Sequence, residues 1–170
     1  SIKFKIDPKK LSLFLETENP NINYLNLSIP VQNLKVYVDV LSFVKSSPKI
    51  NKINLLLEEL DITELNNLSR LIKPSNFKSF LNNKIIEGKL ISEIEIFLDD
   101  EGLFKDFIAK GTVKNLHAEF LNNLNLKKTN LSFFADKNDI LIKNIVGNIE
   151  DIKITDGDIK LNLENGLKLN

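Results

Sequence analysis

The chain is expected to be mainly β: a long antiparallel meander curved into a U-shaped groove or an open sandwich, with one or two short helices around residues 63–83. Three observations predict this. Apolar and polar residues alternate along most of the 170 residues, and strand side chains repeat every two positions. The period lengthens to helical spacing only over 63–83. The breaks between alternating runs carry Asp, Asn, Pro and Gly, the residues that turns select.

In chain order, Ile2, Phe4 and Ile6 share one side of a first strand, and Asp7-Pro8-Lys9-Lys10 turns it. Leu11, Leu13 and Leu15 mark a second strand, closed by Glu18-Asn19-Pro20-Asn21. A third runs from Ile22 to Ser28, with Ile29-Pro30 as its interruption. Val31 to Lys45 reads as one strand with Leu34, Val36, Val38 and Val40 on a face. Its phase slips at Leu41-Ser42-Phe43, as at a bulge or a strand end. Ile50 to Ile62 is a further strand. Leu65, Leu68, Leu71 and Ile72 then form a helical stripe over 63–73, ended by Pro74, and Ser75 opens a second short helix with Phe77, Phe80 and Leu81.

The longest signal is the stretch Lys84 to Phe120. Leu90, Ile94, Ile96 and Leu98 share a side of one run. Phe107, Ala109, Gly111 and Val113 share a side of the next, with Asp99-Asp100-Glu101-Gly102 as the hairpin turn between them. Each run is about ten residues, or about 33 Å. Leu121 to Lys128 reads as an Asn- and Lys-rich link. Thr129 to Asp136 is a strand with Leu131 and Phe133 on one face, and Ile140 to Ile149 follows with Ile140 and Ile142. Ile152 to Leu163 carries a break at Asp156-Gly157, which suits either a type I′ turn or a glycine bulge, the bulge being preferred because alternation resumes out of phase. Gly88, Gly111, Gly147 and Gly157 read as a loose recurrence of strand pairs joined by acidic turns.

Composition bounds function. Lys plus Arg and Asp plus Glu are 23 each, against the basic excess of a nucleic-acid binder. With 42% hydrophobic residues the chain can bury a core. The absence of Cys removes disulfides, thiolate metal sites and Cys nucleophiles. No apolar stretch nears the roughly 20 residues that span a bilayer. Both ends fall within alternating patterns, so residues 1–170 are expected to be a single β-rich segment of a longer protein, with 63–83 as a helical insertion or cap.

Chemistry is sparse. His117 is the only histidine and reads as a solvent-facing strand residue between Asn115 and Glu119. Asp99-Asp100-Glu101-Gly102 lacks the spacing of a calcium loop. Asp136 with Asp139, and Asp156 with Asp158, sit at predicted turns, where Asp bonds nearby backbone. The six glycines are scattered, so there is no phosphate loop. No catalytic residue, metal or cofactor is assigned.

One apolar face poses the question of its cover. Roughly nine strands at about 4.8 Å make a sheet about 40 Å wide, while one helix diameter covers about 10 Å. A sandwich, another part of the chain, or apolar ligands in a trough can supply the rest.

The order of elements resembles a known family. A strand ends in Ser46-Ser47-Pro48-Lys49-Ile50, followed by Ile53-Asn54-Leu55 through Glu59-Leu60-Asp61-Ile62 and the helical stripe Leu65–Ile72. Then come Gly88-Lys89-Leu90, Gly102-Leu103-Phe104-Lys105-Asp106-Phe107 and Gly111-Thr112-Val113-Lys114-Asn115. Ile142-Lys143-Asn144-Ile145-Val146-Gly147-Asn148-Ile149 and Asp156-Gly157-Asp158-Ile159 close the series. This pattern is similar to the AsmA-like proteins of Gram-negative envelopes, in particular the large YhdP- and TamB-related members. The resemblance covers most of the chain from about Val31.

It implies a bridge-like lipid transfer protein: a periplasmic β-trough in a protein anchored to the inner membrane, conducting phospholipid or another acyl-chain ligand toward the outer membrane. Membrane contact is then expected through segments outside this chain. The implied groove lining is Leu90, Ile94, Ile96, Leu98, Phe107, Ala109, Val113, Leu131, Phe133, Ile140 and Ile142. The alternative expectation is a non-enzymatic structural or interaction β-sandwich module.

Overall fold

The computed structural model describes residues 1–8, 12–24, 27–44, 46–64, 85–120 and 124–162. The strands are β1 (Ile2–Asp7), β2 (Ser12–Glu18), β3 (Asn21–Tyr24), β4 (Leu27–Val38), β5 (Ile50–Leu57), β6 (Leu60–Asp61), β7 (Ile85–Leu98), β8 (Phe104–Phe120), β9 (Leu124–Asp136), β10 (Asp139–Ile149), β11 (Ile152–Ile154) and β12 (Ile159–Asn162). A short helix α1 (Val40–Val44) joins β4 to β5, and a 3-10 turn (Ile62–Glu64) follows β6.

All twelve strands belong to one antiparallel sheet. Its path is β1-β2-β4-β5-β7-β8-β9-β10-β11, with β3 on β4, β6 on β7 and β12 on β10. β1 forms one edge, β11 and β12 the other, and the sheet does not close on itself. The mainly β meander expected from the alternation is therefore what the chain forms, as an open sheet.

Several local expectations are corrected. The stretch 31–45 is not one strand: β4 stops at Val38 and α1 follows. Asp39 caps that turn, its Oδ1 accepting from Ser42 N at 2.6 Å. Ser42 Oγ in turn donates to Asp39 O and accepts from Lys49 N, which draws the chain back toward β5. Ile29-Pro30 does not interrupt a strand either. Pro30 lies inside β4, opposite Asn21 of β3, and its carbonyl accepts from Glu58 N. The strand predicted over 50–62 breaks at Glu58-Glu59. The link predicted over 121–128 is already strand from Leu124. Of the helices predicted over 63–73 and 75–83, residues 63 and 64 lie in the 3-10 turn and the rest fall outside the described residues.

Gly88, Gly111 and Gly147 sit within β7, β8 and β10, not at turns. Two of them are demanded by close approach. A Cβ on Gly111 would strike the Ile91 carbonyl and come within 2.9 Å of the Phe133 ring. One on Gly147 would lie 2.7 Å from Thr129 Cα.

A seam of irregularities crosses the sheet. Asn115 on β8, Lys128 on β9 and Asn144 on β10 have φ near +50°, and the strand pairing slips beside each. β7 slips on both sides of Glu87, the second time at Gly88, at the same level. Each bulge adds a residue to one strand, flips the side-chain phase beyond it and bends the strand. The Asn side chains suit the left-handed backbone, and Asn115 N bonds Asn130 Oδ1 at 3.0 Å. Gly157 serves the same line from the edge: its carbonyl accepts from Ile145 N, and Asp158 Oδ1 accepts from Asn144 N. The predicted break at Asp156-Gly157 is thus the gap between β11 and β12, which pair with different stretches of β10.

The core lies at and beyond this seam. Val31, Leu57, Leu60, Ile62, Leu90, Val113, Leu116 and Ala118 form one buried cluster, with Ile22, Ile29, Leu126 and Leu131 packed against it.

Candidate functional site: the apolar face of the sheet

The register aligns apolar side chains into rows across the strands. One row runs Phe4, Leu15, Val36, Ile53, Ile96, Phe107 over β1, β2, β4, β5, β7 and β8. The next runs Thr17, Leu34, Leu55, Ile94, Ala109, Ala135, Ile140 as far as β10. A third joins Gly111, Phe133 and Ile142, and a fourth Leu90, Val113 and Leu131. Antiparallel neighbours keep their side chains on one face, so these rows make one mainly apolar band, interrupted by Thr17 and by the buried Ser92, which pairs with Gly111.

All eleven residues expected to line a groove lie on that face. They divide by burial. Leu90 and Val113 belong to the buried cluster, and Ile94, Leu131 and Phe133 pack against it. Ile96, Leu98, Phe107, Ala109, Ile140 and Ile142 lie outside the cluster and are half-buried. Leu98 pairs with Phe104 across a register slip at the mouth of the hairpin. The groove lining read from the sequence left out the first strands, where Leu15, Val36 and Ile53 carry the same row. The signal was present as alternation, but only the register shows that the phases of distant strands agree.

The opposite face is a charge ladder. Glu16 pairs with Lys5 and, at 3.6 Å, with Lys35, and Asn33 Nδ2 donates to it at 3.2 Å. Asn54 Nδ2 donates to Glu93 at 2.6 Å, and Lys110 pairs with Glu93 at 2.9 Å. Lys52 reaches Glu95 at 3.6 Å and stands over the Tyr37 ring, which packs beside Phe14. The hydrogen bond from Lys5 holds the Glu16 carboxyl below its ordinary range, with further help from Asn33. Asn54 and then Lys110 do the same for Glu93. A concavity of about 510 Å³ opens on this face, lined by Glu18, Asn33, Lys35, Asn54 and Glu93 among others. Each of its charged groups has a partner beyond the lining: Glu18 with Lys3, Lys35 with Glu16 and Glu93 with Lys110.

His117 is not simply solvent-facing. It is half-buried on β8 and paired with Glu87 of β7. The turn residues expected at hairpins are there: Asp99 Oδ1 accepts from Glu101 N and Leu103 N, and Asp136 Oδ1 from Asn138 N and Asp139 N. Among the described residues no three His, Asp or Glu side chains are grouped as metal ligands, and no helix is long and apolar enough to cross a membrane.

No family, no curated protein and no solved structure matches this chain. The likeness to AsmA-like proteins therefore rests on the strand and turn residues quoted above.

Proposed function

We propose that this chain is a segment of an envelope protein that holds and conducts phospholipid by its acyl chains along an apolar β-groove. The supporting observation is the mainly apolar face that runs from β1 to β10, interrupted by Thr17 and Ser92, part of it packed in or against the buried cluster and the rest half-buried or, at Phe4 and Leu15, exposed. Apolar bands of this extent on a soluble surface call for a partner. An acyl chain laid across the rows would bury about 0.8 kcal/mol per CH₂, while its headgroup stayed in water. The groove works by burial alone and requires no catalytic group or cofactor. In this reading the groove lies in the periplasm, in a protein anchored to the inner membrane.

The test is lipid carriage by the purified chain. Native mass spectrometry is expected to show co-purified phospholipid, and a fluorescent fatty acid is expected to compete for the same site. Ile96→Arg, on the half-buried side, is expected to reduce uptake while the chain stays folded. A lipid-free chain that takes up no fatty acid overturns the proposal.

A further inference from the structure

At the end of the sheet where β4, β7 and β9 finish, apolar side chains project into solvent. Leu41 and Val44 of α1 are 69% and 75% exposed, and Leu103 and Phe104, where the β7–β8 turn enters β8, are 60% and 62% exposed. Ile50, the first residue of β5, is also exposed. α1 bridges β4 and β5, the turn bridges β7 and β8, and β5 and β7 are neighbours. The two tips are therefore about two strand spacings, roughly 10 Å, apart.

Local hydrogen bonds hold these side chains outward. Ser42 turns inward to bond Asp39 and Lys49, which leaves Leu41 and Val44 facing out. The Asp99 carboxylate accepts from Leu103 N at 2.9 Å and fixes that residue at the tip. Phe104 pairs with Leu98, and its ring lies 6.5 Å from that of Phe107. The rim is thus continuous with the apolar face.

A stable protein interface uses about 20–30 residues a side, while this rim offers five large apolar residues on two narrow tips. Separate protruding apolar side chains suit a membrane–water interface, which needs no complementary shape. Among the described residues the exposed charges beside them are balanced, Lys49 and Lys105 against Asp100 and Glu101. A balanced rim has no electrostatic preference for anionic lipid.

We infer that this rim is a membrane-contact surface that inserts shallowly into a zwitterionic bilayer through Leu41, Val44, Leu103 and Phe104. The inference stands on the rim alone and goes beyond the groove reading. If both hold, the rim brings the lipid-holding face directly to a bilayer.

The chain has no Trp, so a single introduced Trp reports on its own position. Leu103→Trp is expected to shift its emission to the blue on adding phosphatidylcholine vesicles, equally at low and high salt, and to be quenched by brominated lipid. Phe104→Trp is a second reporter. Ile152→Trp, exposed at the far end of the sheet, is expected not to shift. Replacing Leu103 and Phe104 by Asp should weaken vesicle partitioning by about tenfold or more per side chain, with the unfolding transition kept.

Absence of a shift at both rim reporters overturns the inference. So does an equal shift at Ile152→Trp, or a shift that tracks protein concentration without vesicles, which marks a second copy as the occupant. Fatty-acid uptake is read separately: uptake without a rim shift retires the rim and leaves the groove, and a rim shift without uptake does the reverse.

Discussion

Gly111 shows how tightly single positions are specified in this sheet. The Phe133 ring lies over it from the next strand, and the Ile91 carbonyl closes the other side. Gly111→Ala is expected to destabilise the chain by about 1–3 kcal/mol, because backbone must move to admit the methyl group. Urea unfolding measures it. Glu16 makes a different prediction. Its folded pKa lies below the ordinary 4.5, so the unfolded chain binds the proton first. The stability contributed by the Lys5–Glu16–Lys35 group is present above pH 4.5 and is lost as pH falls through the lowered value. Glu93, held down by Asn54 and Lys110, and Asp136, held down by the Asp139 and Asn138 amides, act in the same sense. Thermal unfolding is expected at lower temperature on acidification below about pH 4.5. Glu16→Gln is expected to flatten that dependence.

At the scale of elements, long hairpins were legible and irregular ones were not. The β7–β8 pair, its Asp99–Gly102 turn, and the β9–β10 pair can be read from alternation and turn chemistry. Helix α1 could not be. Val40, Leu41 and Val44 continue an apolar run, and the deciding signal is one capping residue, Asp39. Asp39→Ala is expected to cost about 1 kcal/mol and to loosen the Lys49 contact, seen as faster amide exchange in 40–50. Pro30 misled for a related reason. A proline reads as a break because it cannot donate, yet here only its carbonyl is called upon, by Glu58. The bulges were hidden because Asn and Lys announce no left-handed backbone by themselves. Asn115→Val, which puts a β-branched side chain at φ +52°, is expected to cost about 1–2 kcal/mol. Asn115→Gly is expected to be tolerated.

For the molecule as a whole, the question is what the apolar band is for. The band's residues were legible as a set. Their division into a packed half and an open half was not, because it depends on the seam and on the hairpin β3–β4, neither of which alternation reveals. That division gives a contrast. Leu90 is 6% exposed within the cluster, and Ile96 is half-buried three rows away on the same strand. Leu90→Arg is expected to unfold the chain, since it leaves a charge unpaired in a core. Ile96→Arg is expected to leave a cooperative transition within about 1–2 kcal/mol of the parent. Circular dichroism melts separate the two. Equal collapse would mean that the band is closed over its whole width.

The order of strands across the sheet follows the order of the chain almost without exception. Every strand therefore pairs with strands one or two places from it in chain order, and the sheet can be dismantled from its margins without disturbing its middle. Stability in such an arrangement is close to a sum of neighbouring pairs. Amide exchange should grade accordingly: first β1 with β11 and β12, last β7, β8 and β9. A single exchange rate from edge to centre would show that the sheet opens in one step.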